Sequence, residues 1–170
     1  MGITIDSTHG SVLFPLIAIA IQCIFTGFVA GGGRRKAFSK EFMEKHFGEE
    51  HKKAFGGSPP KQGYPDMGNG RFSDKLDYKT WYNFNNRQRA HYNFVEQIGS
   101  VVALLIVAGI GYPEVSSILG WFYFAGRLLF TAGYVAKGPN ARVAGALILD
   151  IGLIGLIIVS VLSSLKVVRS

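Results

Sequence analysis

Residues 87–99 read Arg-Gln-Arg-Ala-His-Tyr-Asn-Phe-Val-Glu-Gln-Ile-Gly, and an apolar run that extends to Ile110 follows directly. Helical periodicity places Arg89, Asn93 and Glu96 on one face, at i, i+4 and i+7. An ionisable group at the centre of a membrane helix costs roughly 2.5–3.5 kcal/mol. Such groups usually persist because they bind a ligand or one another. This stretch therefore predicts a polar site on a membrane helix.

Other apolar runs flank this segment on both sides. Each is long enough to cross a hydrocarbon core of roughly 30 Å as a helix. Turns at residues 111–114 and 137–140 contain Pro113 and Pro139, so the last three runs are expected to pack as antiparallel neighbours. The sequence predicts an all-α, integral membrane four-helix bundle that forms a single domain over residues 1–170. The expected spans cover residues of about 12–31, 89–110, 115–136 and 142–165.

Composition and charge agree with a membrane protein. The chain is 48% hydrophobic and only 17% charged, with a net charge of +7. Thirteen of its eighteen Lys and Arg residues lie between Arg34 and Arg89. Such a cluster is typical of a cytosol-facing loop and does not require a nucleic acid partner. The positive-inside bias places this long loop, of about residues 32–86, in the cytosol together with the turn that precedes Arg142.

The beginning of the long loop has the pattern of a short helix. Residues 39–54 carry Phe42, Met43 and Phe47 at helical spacing, with Lys and Glu between them. We expect this helix to lie with those apolar side chains against the membrane surface. His46 and His51 are five residues apart and do not form a recognised metal motif, so no metal site is predicted.

The polar residues of all four spans are expected at the same membrane leaflet. Arg35 and Lys36 end the first span, Arg127 and Tyr134 lie in the corresponding half of the third, and Arg142 opens the fourth. Arginines bind carboxylates bidentately, Glu96 can hold an ammonium group and Asn93 can pair with an amide. A cation beside a thiol lowers its pKa from about 8.5 and favours the thiolate. This set suits a zwitterionic, peptide-like ligand with a thiol.

Simpler interpretations of these residues stay open. Arg35 and Arg89 are also typical of arginines whose side chains reach the interface from a helix end. Arg89 and Glu96 would satisfy each other if they paired, without any ligand. Arg127 is harder to explain in this way, because it lies two to three turns inside its helix.

Three motifs carry a resemblance to a known family. They are Phe84-Asn-Asn-Arg-Gln-Arg-Ala-His-Tyr-Asn-Phe-Val-Glu96, Gly126-Arg-Leu-Leu-Phe-Thr-Ala-Gly-Tyr134 and Arg142-Val-Ala-Gly-Ala-Leu147. In a four-span chain of this length, they resemble the MAPEG family, the membrane-associated proteins of eicosanoid and glutathione metabolism. Within that family the pattern is similar to the microsomal glutathione transferase type 3 branch, which is related to leukotriene C4 synthase.

The resemblance implies a homotrimer that binds glutathione as co-substrate between neighbouring subunits. Arg142 matches the arginine that stabilises the thiolate, and Lys36 stands in place of a second, catalytic arginine. By position, the implied glutathione-binding residues of one subunit are Arg35, Arg89, Asn93 and Glu96, and the next subunit would contribute Arg127 and Tyr134.

Some positions depart from the family pattern. Phe130 stands where a ligand-contacting Tyr is common, and Gln97 follows Glu96 where another Tyr is common. The loop of residues 39–88 is also tens of residues longer than in the animal members. Each lost hydroxyl removes a hydrogen bond of about 0.5–1.5 kcal/mol, which would weaken binding without abolishing it.

Two functions remain open at this point. The first is a glutathione transferase or peroxidase that acts on lipophilic electrophiles or lipid hydroperoxides, in the membrane of the endoplasmic reticulum or the mitochondrion. The second is a non-catalytic accessory or binding subunit of a larger membrane complex. A transporter would need charges through both leaflets, whereas nearly all the charges here lie in one.

Overall fold

The computed structural model describes residues 6–169, and all of the long elements in this range are helices. Four of these helices are long and apolar enough to cross a membrane, which confirms the predicted four-helix architecture. Short 3₁₀ turns join several of the helices. The helices are α1 (Gly10–Ala37), α2 (Lys40–Phe55), α3 (Tyr78–Gly111), α4 (Pro113–Lys137) and α5 (Val143–Arg169).

Helix α3 begins three turns earlier than the expected span. The Asp77 side chain accepts a hydrogen bond of 3.0 Å from the backbone N–H of Thr80, and this N-cap starts the helix at Tyr78. No Pro or Gly interrupts the chain between residues 78 and 98. At 1.5 Å per residue the 34-residue helix is roughly 50 Å long. Arg89 therefore lies well inside a continuous helix.

The segment between α1 and α3, residues 38–77, folds into a compact unit that we call the cap. Its helix α2 confirms the predicted short helix, with Ser39 as N-cap and Gly56 in the left-handed conformation as C-cap. The expectation that Met43 and Phe47 face the membrane is wrong, because both are buried inside the protein. They pack in an apolar cluster with Ala37, Phe38, Phe84, Phe42, Phe72 and Leu76.

Hydrogen bonds hold the irregular part of the cap in shape. The buried carboxylate of Asp66 accepts from the backbone N–H groups of Gly68, Gly70 and Ser73 and from the Ser73 hydroxyl. The Trp81 indole on α3 donates to the carbonyl of Gly68 at 2.9 Å. The cap is thus fastened to the start of α3 through its own backbone.

Helices α4 and α5 approach each other through glycines. A Cβ added at Gly126 would lie 2.2 Å from the backbone nitrogen of Leu149, and one added at Gly145 would lie 2.1 Å from that of Phe130. Small residues of this kind let membrane helices pack backbone to backbone. The predicted antiparallel pairing of the last spans is therefore confirmed.

The outer faces of the bundle are apolar. Large side chains of α1 and α5 point outward all along both helices, as expected of surfaces solvated by lipid. Examples that are more than half exposed are Leu13, Phe14, Ile24, Phe28, Leu147, Ile151, Ile154 and Ile158.

Candidate functional site

We call one end of the bundle the cap end. Helices α1 and α4 end there, and α3 enters the bundle from the cap at the same end. Helix α5 starts there after the 3₁₀ turn Pro139–Arg142. All eight residues predicted for the site lie on helix segments or turns at this end or within a few turns of it. They differ in burial: Arg127 and Tyr134 are buried, Asn93 and Arg142 are half-buried, and the other four are exposed.

One face of α3 carries two charged side chains that have no side-chain partner among residues 6–169. Arg89 and Glu96 are exposed, and Asn93 between them is half-buried. Because residues 78–111 form one helix, the expected i, i+4, i+7 face exists. Neither Arg89 nor Glu96 has an ion pair or a side-chain hydrogen bond to any residue from 6 to 169. The mutual pairing that was left open for them is not seen.

Arg127 lies in the interior of the bundle and is 0% exposed. Its Nε donates to the Tyr123 hydroxyl at 2.9 Å, and its Nη1 donates to Asn93 Oδ1 at 2.7 Å. Its Nη2 donates to the Asn93 carbonyl at 3.1 Å and also to Gln97 Oε1. The rings of Phe94 and Phe130 lie 4.8 and 5.1 Å from the guanidinium carbon. Every nitrogen of this guanidinium thus has a partner within its own subunit.

Arg142 has a different environment. It is half-buried at the end of the 3₁₀ turn, with its guanidinium carbon 5.6 Å from the Phe130 ring and 5.4 Å from the Tyr134 ring. Aromatic faces attract a cation without using its N–H donors. No acceptor among the described residues hydrogen-bonds this guanidinium. Arg142 is therefore held in place with its donors free.

The last turn of α1 carries three consecutive cations that differ in burial. Arg34 is only 3% exposed and points inward, whereas Arg35 and Lys36 are exposed. The Arg34 guanidinium carbon lies 4.3 Å from the centre of the Tyr64 ring, and its nitrogens donate to the Gln62 carbonyl and the Met67 sulfur. Arg34 therefore holds the cap, and the two following cations remain available at the surface.

Sequence reasoning missed two members of the inner network. Gln97 was treated only as the site of a missing Tyr, and Tyr123 was not assigned to the site. In the structure both side chains accept hydrogen bonds from Arg127. The Tyr123 hydroxyl also lies 3.3 Å from Gln97 Oε1. The signal was present, because Gln97 follows Asn93 by four residues and Tyr123 precedes Arg127 by four.

A cavity of about 540 Å³ lies in the cap and contains none of the eight predicted residues. Its walls come from α2 and the coil of residues 65–72, with Phe47, Phe55 and Phe72 among the apolar side chains. Four of the eight predicted residues, Arg35, Lys36, Arg89 and Glu96, are exposed on the surface of the single subunit. A site built from them would need a second surface to close it.

A comparison with protein-family models gives a match to the MAPEG family over residues 12–162. The match covers most of the chain, including α3, α4, the whole cap and most of α1 and α5. This family includes glutathione-dependent transferases and related proteins. The four-helix membrane bundle and the extent of this match together show that the chain belongs to the MAPEG family.

Proposed function

We propose that this protein is a glutathione-dependent membrane enzyme that transfers glutathione to lipophilic electrophiles or uses it to reduce lipid hydroperoxides. The observation that carries the proposal is the environment of Arg142, which lies against two aromatic rings and has no hydrogen-bond acceptor among residues 6–169. A cation held in this way is suited to stabilise an anionic sulfur. The three site motifs resemble the microsomal glutathione transferase type 3 branch of this family, and that resemblance supports the proposal.

Glutathione would bind between subunits of a homotrimer. The unpaired Arg89 and Glu96 support this, because exposed charges on a membrane helix are costly unless another surface covers them. A neighbouring subunit would supply that surface with its Arg142 and Tyr134. Arg35, Arg89 and Asn93 would bind carboxylate or amide oxygens, and Glu96 would bind the ammonium group.

The proposed chemistry begins with loss of the thiol proton to water. Arg142 lowers the thiol pKa, and Lys36 adds positive charge near the same opening. In conjugation the sulfur forms a C–S bond, and the leaving group departs with the bonding electrons. In peroxide reduction the thiolate sulfur attacks the terminal oxygen and the O–O bond breaks, which gives the sulfenic acid of glutathione and an alkoxide. The alkoxide takes a proton from water and leaves as the alcohol. A second glutathione then converts the sulfenic acid to a disulfide and water.

The two substrates would arrive from different phases. The apolar outer faces of α1 and α5 give lipophilic molecules a route from the bilayer. Glutathione would enter from the cytosol at the cap end, as the concentration of Lys and Arg there supports. The membrane would be that of the endoplasmic reticulum or the mitochondrion.

The test is the ultraviolet absorption of the thiolate when glutathione is added to purified protein. The wild-type protein should show the band, and Arg142→Ala should lose most of it. Lys137→Ala, which removes an exposed cation at the nearby end of α4, is the matched control and should keep the band. An unchanged band in Arg142→Ala would reject the assigned role of Arg142.

A second function is favoured by the cap. Its cavity and the 78% exposed Phe55 beside it offer contact surface that a minimal transferase does not need. A non-catalytic subunit of a larger membrane complex would use such a surface for assembly. Purification in mild detergent distinguishes the two, since a subunit would co-purify in fixed stoichiometry with other proteins and would not bind glutathione.

A further inference from the structure

We propose that Arg127 is a positioning residue that fixes the orientation of the Asn93 carboxamide, so that Asn93 presents its N–H₂ group, as a donor, to an oxygen of the bound ligand. This inference rests on the proposed function and changes the part that Arg127 plays in it. Arg127 would act through Asn93 of its own subunit instead of contacting glutathione directly.

The orientation of Asn93 follows from the chemistry of its partner. A guanidinium can only donate hydrogen bonds, so the Asn93 atom at 2.7 Å from Arg127 Nη1 has to be the oxygen Oδ1. The second bond, from Nη2 to the Asn93 carbonyl, binds the same residue through its backbone. Rotation of the carboxamide by half a turn would place an N–H₂ group against the cation. The amide is therefore locked with its oxygen inward.

The opposite side of the carboxamide reaches the surface. Asn93 Nδ2 has no hydrogen-bond partner among residues 6–169, and it is absent from the buried unpaired polar atoms of that range. It lies on the helix face that also carries Arg89 and Glu96. The Nδ2 group is thus available to donate to a ligand, and an oxygen acceptor such as an amide carbonyl or a carboxylate suits this position.

Arg127 itself is held by groups of its own subunit. Tyr123 and Gln97 accept from its nitrogens, and the rings of Phe94 and Phe130 flank its guanidinium. With no exposed surface, it has no atom within reach of a molecule bound on the outer face of α3. Its influence on binding has to pass through the residue that it holds.

A double-mutant cycle on the full-length protein tests this coupling, with glutathione affinity measured by calorimetry. Asn93→Ala should raise the Kd about 3- to 10-fold, which corresponds to one lost hydrogen bond. Arg127→Gln should raise it by a similar factor, and the double variant should be no weaker than either single variant. Factors that multiply would overturn the inference, because Arg127 would then act independently of Asn93.

A second variant keeps the test informative if Arg127→Gln does not fold. Asn93→Asp retains an inward oxygen for Arg127 but replaces the outward N–H₂ with an oxygen. It should fold and trimerise like the wild type, yet bind glutathione at least as weakly as Asn93→Ala. Wild-type affinity in Asn93→Asp would overturn the inference, because no outward donor would then be required.

A readout without glutathione separates this inference from the proposed function. The side-chain amide signal of Asn93 in ¹⁵N nuclear magnetic resonance spectra is identified by its loss in Asn93→Asp. Its protons should exchange with water without protection in the ligand-free wild type, and protected protons would overturn the inference. A wild type that binds no glutathione but has these exposed protons would refute the proposed function and support the orientation of Asn93.

Discussion

The interior and the surface of the cap end both contain arginines, but the hydrogen bonding of these arginines differs between the two regions. Arg127 inside the bundle makes four hydrogen bonds and has no exposed atom, whereas Arg89 and Arg142 make none with the described residues. A buried cation whose donors are all paired stabilises its own subunit. A cation whose donors are free is suited to bind something else. Whether the guanidinium N–H groups already have acceptors, rather than membrane depth alone, distinguishes structural arginines from candidate ligand-binding ones.

The largest expected effect is on stability, and it comes from the interior. Arg127→Met should lower the free energy of unfolding by about 2–5 kcal/mol, because acceptors on Tyr123, Asn93 and Gln97 lose their donor and each unpaired group costs about 1–3 kcal/mol. Arg89→Met should change it by less than about 0.5 kcal/mol, as is usual for exposed sites. Denaturant titration of both variants in the same detergent measures the difference. Equal losses would remove the distinction between interior and surface.

The surface should show the reverse pattern for ligand binding. Arg89→Ala should raise the Kd for glutathione about 10- to 100-fold, because hydrogen bonds to a charged group are worth about 1.5–3 kcal/mol. Its unfolding should stay as in the wild type. Lys79→Ala, an exposed cation ten residues earlier on α3, is the matched control and should bind normally. Calorimetry measures the affinities, and a normal affinity in Arg89→Ala would exclude Arg89 from the site.

Arg34 sharpens the comparison, because it is buried but serves the cap instead of the bundle. Arg34→Met should remove its contacts with Tyr64, Gln62 and Met67 and destabilise the cap locally by about 1–2 kcal/mol. Limited proteolysis within residues 56–63 should then become about 5- to 30-fold faster. Arg35→Met, one residue further on, should leave the cleavage rate unchanged. Equal rates in the two variants would contradict the role assigned to Arg34.

The smallest expected effect is a pH dependence of the cap. Burial raises the pKa of Asp66, but hydrogen bonds from Ser73, Gly68 and Gly70 outweigh this and hold the pKa below its usual value. The unfolded carboxyl therefore binds protons at higher pH than the folded one. The stabilisation is complete above the usual pKa of about 4 and is lost as the pH falls through the lowered value.

This pH dependence is measured by following cleavage of the cap with an acid-tolerant protease between about pH 6 and pH 2.5. Cleavage of the wild-type cap should accelerate as the pH falls. In Asp66→Asn it should be fast at every pH, because the amide cannot accept all the bonds that the carboxylate accepts. Asp74→Asn, an exposed residue of the same segment, should behave like the wild type. A flat wild-type profile would show that Asp66 does not couple the cap to pH.

The sequence allowed the four membrane helices and the polar face of α3 to be predicted, because both depend on local composition and spacing. The helical turns that precede the expected span of about 89–110 were not predicted, since they are polar and only the Asp77 cap marks the beginning of α3. The burial of Met43 and Phe47 was missed because amphipathic helices on protein and on lipid have the same pattern. Arg127 was recognised as unusual, but its partners depend on how α3 and α4 are rotated, which no local signal encodes.

The length of α3 has a mechanical consequence. A single helix of roughly 50 Å exceeds a hydrocarbon core of roughly 30 Å, so its leading turns stand above the bilayer and serve as the floor on which the cap rests. Between Tyr78 and Arg89 there is no glycine or proline to act as a hinge. A tilt or rotation of the cap is therefore expected to move Arg89, Asn93 and Glu96 as well. The cap and the polar face of α3 are therefore expected to move together as one rigid unit.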